Sequence, residues 1–157
     1  MSGLQADDPE DRGVVPVMTS EIPGTYDAVR EALLAMRRKL SQAGADRDTI
    51  GTVEMVLAEI LNNVVEHAYH DRAGGHILLK ITCTENGIRI TVADDGTPIN
   101  GALPEGRAAL KDGTELDDLP EGGFGWSLIR MLVNDLQYHS GDGRNHLRCV
   151  VPHASVK

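Results

Sequence analysis

The sequence predicts an α/β sandwich, with a mixed, mostly antiparallel sheet carrying helices on one face. Three observations carry this prediction. Residues 25–43 and 46–69 repeat apolar side chains at three- and four-residue steps, the period of a helix with one buried stripe. Residues 76–84 and 88–92 instead alternate around Asn86-Gly87, the pattern of two strands joined by a tight hairpin. A third helical stretch, Phe124 to Asp135, precedes another alternating pair around Gly141-Asp142-Gly143. The order β-α-α-β-β-loop-α-β-β is that of a sheet covered by helices, because strand neighbours joined by short turns pair antiparallel.

Residues 1–13 are acidic, with Pro and Gly and almost nothing apolar, and read as a disordered tail. Val14 to Met18 forms a first strand, which Pro16 restricts to an edge because proline donates no ladder hydrogen bond. In the first helix Tyr26, Val29, Leu33, Met36 and Leu40 make the apolar stripe, and Gly44 stops it. In the second, Ile50, Val53, Leu57, Ile60 and Val64 point inward, and Gly74-Gly75 ends the segment. Ile77, Leu79, Ile81 and Cys83 share one strand face, and Ile88, Ile90 and Val92 share the next. Thr97 to Glu121 is polar and rich in Gly, Pro and Asp. A segment of this length without structure of its own reads as a functional, mobile loop. The last helix carries Leu128, Ile129, Leu132 and Val133. Leu136–His139 and His146–Val151 close the sheet.

A chain of 157 residues suits one domain, taken here as 14–157, with a core of its own. Its formal charge of −9 repels nucleic acid and anionic membrane. No apolar run is long enough to span a bilayer, and the N-terminus lacks the basic start and apolar stretch of a signal peptide. Cys83 and Cys149 sit in apolar strand-like runs and read as buried free thiols of a reducing cytoplasm. Aromatic residues are too scarce for a base-stacking platform.

Polar residues interrupt the apolar patterns at four places. Glu59 and Asn63 lie one turn apart among Leu57, Ile60, Leu61 and Val64, with Glu66 and His67 one turn further. An amide oxygen is a hard neutral ligand suited to Mg²⁺, and a carboxylate one turn away suits a general base. Taken alone, the pair also fits the solvated face of an amphipathic helix. Asp94 has the parity of the inward residues Ile88, Ile90 and Val92, so its carboxylate needs a donor, such as an adenine amine. Gly96 lets backbone approach a flat ring, although Asp94-Asp95-Gly96 equally fits an ordinary turn. Gly122, Gly123 and Gly125 lead into a helix whose N-terminal amides favour phosphate, although a glycine cluster also suits a plain hinge. Arg107 and Lys111 precede it as solvated charges able to neutralise phosphate. His67 and His70 lack further zinc ligands nearby. Ser127 fits no nucleophile-elbow pattern and reads as hydroxyl packing.

Together and in this order, Glu59-x-x-x-Asn63 with His67-Ala68-Tyr69, Asp94-x-Gly96 and Gly122-Gly123-x-Gly125 resemble the GHKL ATPase superfamily of gyrase, Hsp90, histidine kinases and MutL. The chain is most similar to the stand-alone serine kinases that act as anti-sigma factors in bacterial partner-switching systems. The resemblance covers about residues 14–152. It implies the Bergerat-type ATP-binding fold with 97–121 as a mobile ATP lid. It assigns Glu59 as general base, Asn63 as Mg²⁺ ligand, Asp94 and Gly96 to adenine, and Gly122, Gly123 and Gly125 to the phosphates. Pro98 stands where many relatives have a second glycine. Arg144-Asn145-His146 stands where some have a Gly-Thr pair. Trp126 is unusual after the glycine turn and is expected to help cover the lid.

The resemblance therefore implies an ATP- and Mg²⁺-dependent protein-serine/threonine kinase. It would be a cytoplasmic homodimer that sequesters a sigma factor or another regulated target and phosphorylates a STAS-type anti-anti-sigma antagonist. Neither nucleic acid nor membrane is an expected partner. Arg30, Arg37 and Arg38 form a basic patch on the first helix that suits an acidic partner surface. The alternative is an ATP-gated protein-binding regulator without transfer, against which Glu59 argues. A histidine-kinase or gyrase-like fragment is disfavoured because the chain lacks room for a dimerising helix pair or transducer. His67, inside the second helix, is a poor phospho-acceptor.

Overall fold

The structure, a computed structural model, describes residues 14–68, 75–97 and 123–154. The expected tail at 1–13, the lid with Arg107 and Lys111, and the side chains of His67 and His70 lie outside the described residues.

The element order is β1 (Val15–Pro23), α1 (Tyr26–Gln42), α2 (Arg47–Asn63), a π-helical turn (Val64–Ala68), β2 (His76–Thr84), β3 (Gly87–Asp94), α3 (Gly123–Leu132), β4 (Asn134–Gly141) and β5 (Arg144–Pro152). The strands form one open sheet in the order β1-β2-β3-β5-β4, and all four described pairings are antiparallel. The expected α/β sandwich is present, and its sheet is antiparallel at every described pair.

Each helix starts where a side chain satisfies an orphan backbone amide. Thr25 Oγ1 accepts from the Ala28 amide at 3.2 Å and caps α1. Asp46 caps α2 through both oxygens, accepting from the Thr49 amide and the Thr49 hydroxyl, each at 2.8 Å. Those bonds hold the Asp46 carboxyl below the usual range. Gly44, with φ of +93°, ends the α1 segment in a conformation that disfavours any side chain.

The helices cover one sheet face. Met18 and Ile22 of β1, Ile77, Leu79 and Ile81 of β2, Ile88, Ile90 and Val92 of β3, and Leu147, Cys149 and Val151 of β5 are all buried on it. Cross-strand partners such as Ile81–Ile90 and Ile90–Cys149 show that period-two alternation keeps them together. Val29, Met36, Leu40, Val53, Leu57, Ile60 and Leu61 supply the helical half of this core. The other face carries Lys80, Arg89, Thr91 and Arg148. Cys83 is half-buried rather than fully buried. Cys149 is buried, which pushes its thiol up to about 12 and makes it inert as a nucleophile.

Three expectations change in detail. β1 continues to Pro23 rather than Met18. It is the expected edge strand, and its register shifts between Pro16 and Met18. α2 ends at Asn63 and widens into the π turn instead of running on as one α-helix to residue 69. The first hairpin turns on Glu85-Asn86, with Gly87 opening β3. A Cβ at Gly87 would fall on the Val151 carbonyl oxygen, so glycine is needed where the strands close in.

Candidate functional site

Two polar clusters lie on the helix-covered side of the sheet. The first is built by α2 and α3. Glu59 and Asn63 follow each other along one α2 face, as the four-residue spacing requires. Gly125, in the first turn of α3, sits against both. A Cβ built there would stand 2.6 Å from Glu59 Oε2 and 3.8 Å from Asn63 Nδ2. Glycine is therefore the residue that lets α3 close onto the Glu59 carboxylate. Asn63 is 9% exposed, and its buried Nδ2 has no hydrogen-bond partner among the described residues.

An orphaned buried amide costs about 1–3 kcal/mol. That cost disappears if a ligand oxygen accepts from Nδ2. Rotation of the amide by 180° instead presents Oδ1, a donor suited to a hard cation. Either way the residues here fit a bound phosphate, a divalent cation, or both. A π turn follows Asn63 directly, a geometry that recurs at functional sites. Gly123 opens α3, whose first-turn amides have no intrahelical acceptors, and Gly122 lies outside the described residues.

The second cluster closes the end of the sheet. Asp94, the last residue of β3, is 9% exposed on the core face, as its parity predicts. Its Oδ1 accepts from the Gly96 amide at 2.9 Å and from Asn145 Nδ2 at 2.7 Å. Asn145 Nδ2 also donates to the Gly96 carbonyl at 3.0 Å, and Asn145 Oδ1 accepts from the Ser140 hydroxyl at 2.7 Å. Burial pushes the Asp94 carboxyl above the usual carboxylate range. The bonds from Asn145 and Gly96 act against that, Asp95 adds to it and His146 opposes it. Asp95 is exposed.

The structure thus groups Glu59 and Asn63 with Gly125, and Asp94 with Gly96. α2 packs on β3 and β5 and also on α3, which puts both clusters under the same helical layer. Trp126 is 4% exposed and belongs to the hydrophobic core, and the lid it was expected to help cover lies outside the described residues. Ser127 is buried beside it in sequence, in line with a packed hydroxyl. Arg30, Arg37 and Arg38 are exposed on α1, and Arg37 Nε pairs with Glu54 of α2 at 3.4 Å.

Sequence reasoning marked Asn145 only as a departure from a family pattern. Its central place in the second cluster follows from the cross-strand register, in which Asp94 faces Asn145 and Asn145 faces Ser140. An asparagine at the start of an alternating strand, with the parity of the buried residues, was the available signal.

Residues 22–151 match the family described as the histidine kinase-like ATPase domain. This is most of the chain, and the chain belongs to that family. It is similar to the serine-protein kinase RsbW of Bacillus mycoides (strain KBAB4), 27% identical over 124 residues, covering 78% of this chain and 77% of that protein. RsbW of Bacillus velezensis is 25% identical over 130 residues, covering 82% of this chain and 81% of the relative. Among solved structures, the RsbU and RsbW domains of Rv1364c from Mycobacterium tuberculosis align with 87% of this chain at a TM-score of 0.56 and 18% identity. This chain spans 32% of that one. The histidine kinase domain of the Erythrobacter litoralis EL346 blue-light activated histidine kinase aligns with 84% of this chain and 62% of its own length, at a TM-score of 0.50 and 21% identity. These structural likenesses speak for the fold.

Proposed function

We propose that this histidine kinase-like ATPase domain is a protein-serine/threonine kinase that uses ATP with Mg²⁺ to phosphorylate a Ser or Thr of an anti-anti-sigma antagonist. The observation that carries the reading is the meeting of Glu59, the orphaned Asn63 amide and Gly125 at the start of α3. The serine-protein kinase relatives support the same reaction class.

In this reading Asn63 holds Mg²⁺, which when bound offsets phosphate charge on a protein that already carries −9. Gly122, Gly123 and Gly125 leave room for phosphate oxygens to reach the free amides opening α3. Asp94 accepts a hydrogen bond from the adenine amine, and Gly96 keeps the adjoining backbone clear of the base. Glu59 accepts the proton of the attacking hydroxyl, the part a positioned carboxylate plays in in-line phosphoryl transfer. Phosphorylation of the antagonist then decides whether the kinase, as a homodimer, holds the antagonist or its sigma factor or other target.

The test is transfer of labelled γ-phosphate from ATP to an antagonist of this type, by the intact protein and by Glu59→Gln. Label on a Ser or Thr that disappears with Glu59→Gln supports the kinase. Tight ATP binding with no transfer by the intact protein would contradict it and leave an ATP-gated binding regulator.

A further inference from the structure

We propose that Asn145 and Ser140 are positioning residues that make Asp94 select a 6-aminopurine nucleotide over a 6-oxopurine nucleotide. The inference deepens the nucleotide reading above and rests on it.

Three side chains form one row across three strands: Ser140 on β4, Asn145 on β5 and Asp94 on β3. They are direct cross-strand partners and so share a sheet face. Asn145 is 3% exposed, and its amide is fully committed. Both Nδ2 hydrogens are used, one on Asp94 Oδ1 and one on the Gly96 carbonyl. Oδ1 takes the single hydroxyl hydrogen of Ser140. An exchange of the amide ends would set a carbonyl oxygen against two acceptors. The Ser140 hydroxyl and the two acceptors therefore agree on one orientation.

That orientation decides what a ligand meets. Two N–H groups, from Gly96 and Asn145, converge on Asp94 Oδ1 and fix the plane of the carboxylate. Neither of these bonds uses Oδ2, which among the described residues is left as an acceptor for a ligand. A purine 6-amino group donates to it. A 6-oxo group opposes lone pair to lone pair and leaves a desolvated carboxylate unpaired, the situation in which polar sites discriminate strongly. Asn145 also ties the Gly96 carbonyl to β5, which holds the Asp94-Asp95-Gly96 turn in register with the opposite strand. Without the Asn145 amide, the Gly96 N–H alone holds Asp94, the carboxylate is less fixed and selection falls.

The experiment compares ATP with inosine triphosphate, which differs from it at purine positions 6 and 1 only. Affinities are measured by calorimetry for the intact chain, Asn145→Ala, Asn145→Thr and Ser140→Ala, with circular dichroism to verify folding. The intact chain prefers ATP by on the order of 10–100-fold, the value of a hydrogen bond to a charged group. Asn145→Ala brings that preference to within about threefold, and Asn145→Thr, which keeps one donor, restores part of it. Ser140→Ala lowers it by about 2–5-fold.

A folded Asn145→Ala that keeps the preference, or that weakens both nucleotides equally, overturns the inference, because a structural amide would move both together. Should Asn145→Ala fail to fold, Ser140→Ala at its exposed edge position carries the same readout, and an unchanged preference overturns the inference. Equal affinity of the intact chain for the two nucleotides overturns this inference alone. Absence of any nucleotide binding overturns the nucleotide reading with it.

Discussion

The two polar clusters differ in how completely the protein satisfies them. At the sheet end, Asn145 spends both amide hydrogens and its oxygen on Asp94, Gly96 and Ser140. On the α2 face, the Asn63 amide nitrogen is equally out of water yet has no partner among the described residues. One region is organised before a ligand arrives, and the other holds a polar group that a ligand would satisfy. Satisfied networks give rigidity and selectivity, whereas an unsatisfied group stores free energy that binding releases. A nucleotide site needs both, since the base is read by fixed groups and the phosphates bring their own cation and charge.

Substitutions break this comparison at different places. The largest effect belongs to Glu59→Gln, which keeps the volume and removes the proposed base. Phosphoryl transfer falls by about 10²–10⁴-fold while ATP affinity stays close to that of the intact protein, read by labelled transfer beside calorimetry. Gly125→Ala follows. Its new Cβ meets Glu59 Oε2 at 2.6 Å, and the carboxylate, as the end of a flexible side chain, moves away. Transfer falls by about 10²-fold, the cost of a misplaced catalytic group. The melting temperature holds or rises, because alanine favours a helix over glycine by about 1 kcal/mol. Equal losses of stability and activity would contradict the contact.

Asn63→Leu acts on the unsatisfied cluster. It removes the orphan amide at similar volume, so the nucleotide-free protein gains about 1–3 kcal/mol in denaturant unfolding. The same change abolishes any effect of Mg²⁺ on nucleotide binding. The smallest effect is on pH dependence. Burial raises the folded Asp94 pKa above its unfolded value, so the folded state binds the proton more tightly. The Asp94 contribution to stability is therefore greatest below the unfolded value and is lost as pH rises through the window up to the raised one. Asp94→Asn removes that slope, measured by unfolding at a series of acidic pH values.

Most of the fold was legible because burial imposes a period. β2, β3 and β5 alternate cleanly, and α1 and α2 carry apolar stripes, so their order and inward faces follow from the sequence, except that Tyr26, counted in the α1 stripe, is exposed. β1 was read too short because Ser20 breaks the alternation between Met18 and Ile22, and pairing with β2 supplies the missing order. The π turn has no local sign in Val64–Ala68, since it changes hydrogen-bond register while the apolar spacing continues. Within the site, Glu59, Asn63 and Asp94 stood out as polar residues on apolar faces. The contact of Gly125 with Glu59 depends on how α3 packs against α2, and Asn145 meets Asp94 across 51 residues of chain. Both belong to tertiary register, which periodicity does not carry. Trp126 likewise gave no local sign, beside the glycines, that it packs into the core.

In the proposed function, the satisfied Asp94 cluster and the unsatisfied Asn63 amide serve one nucleotide. Calorimetry of ATP with and without Mg²⁺, on the intact protein, Asp94→Asn and Asn63→Ala, tests it most directly. The intact protein is expected to bind ATP more tightly with Mg²⁺. Asp94→Asn weakens binding by about 10-fold or more whether or not the cation is present, and Asn63→Ala erases the difference made by Mg²⁺. Unchanged binding in both variants, or none by the intact protein, would contradict it.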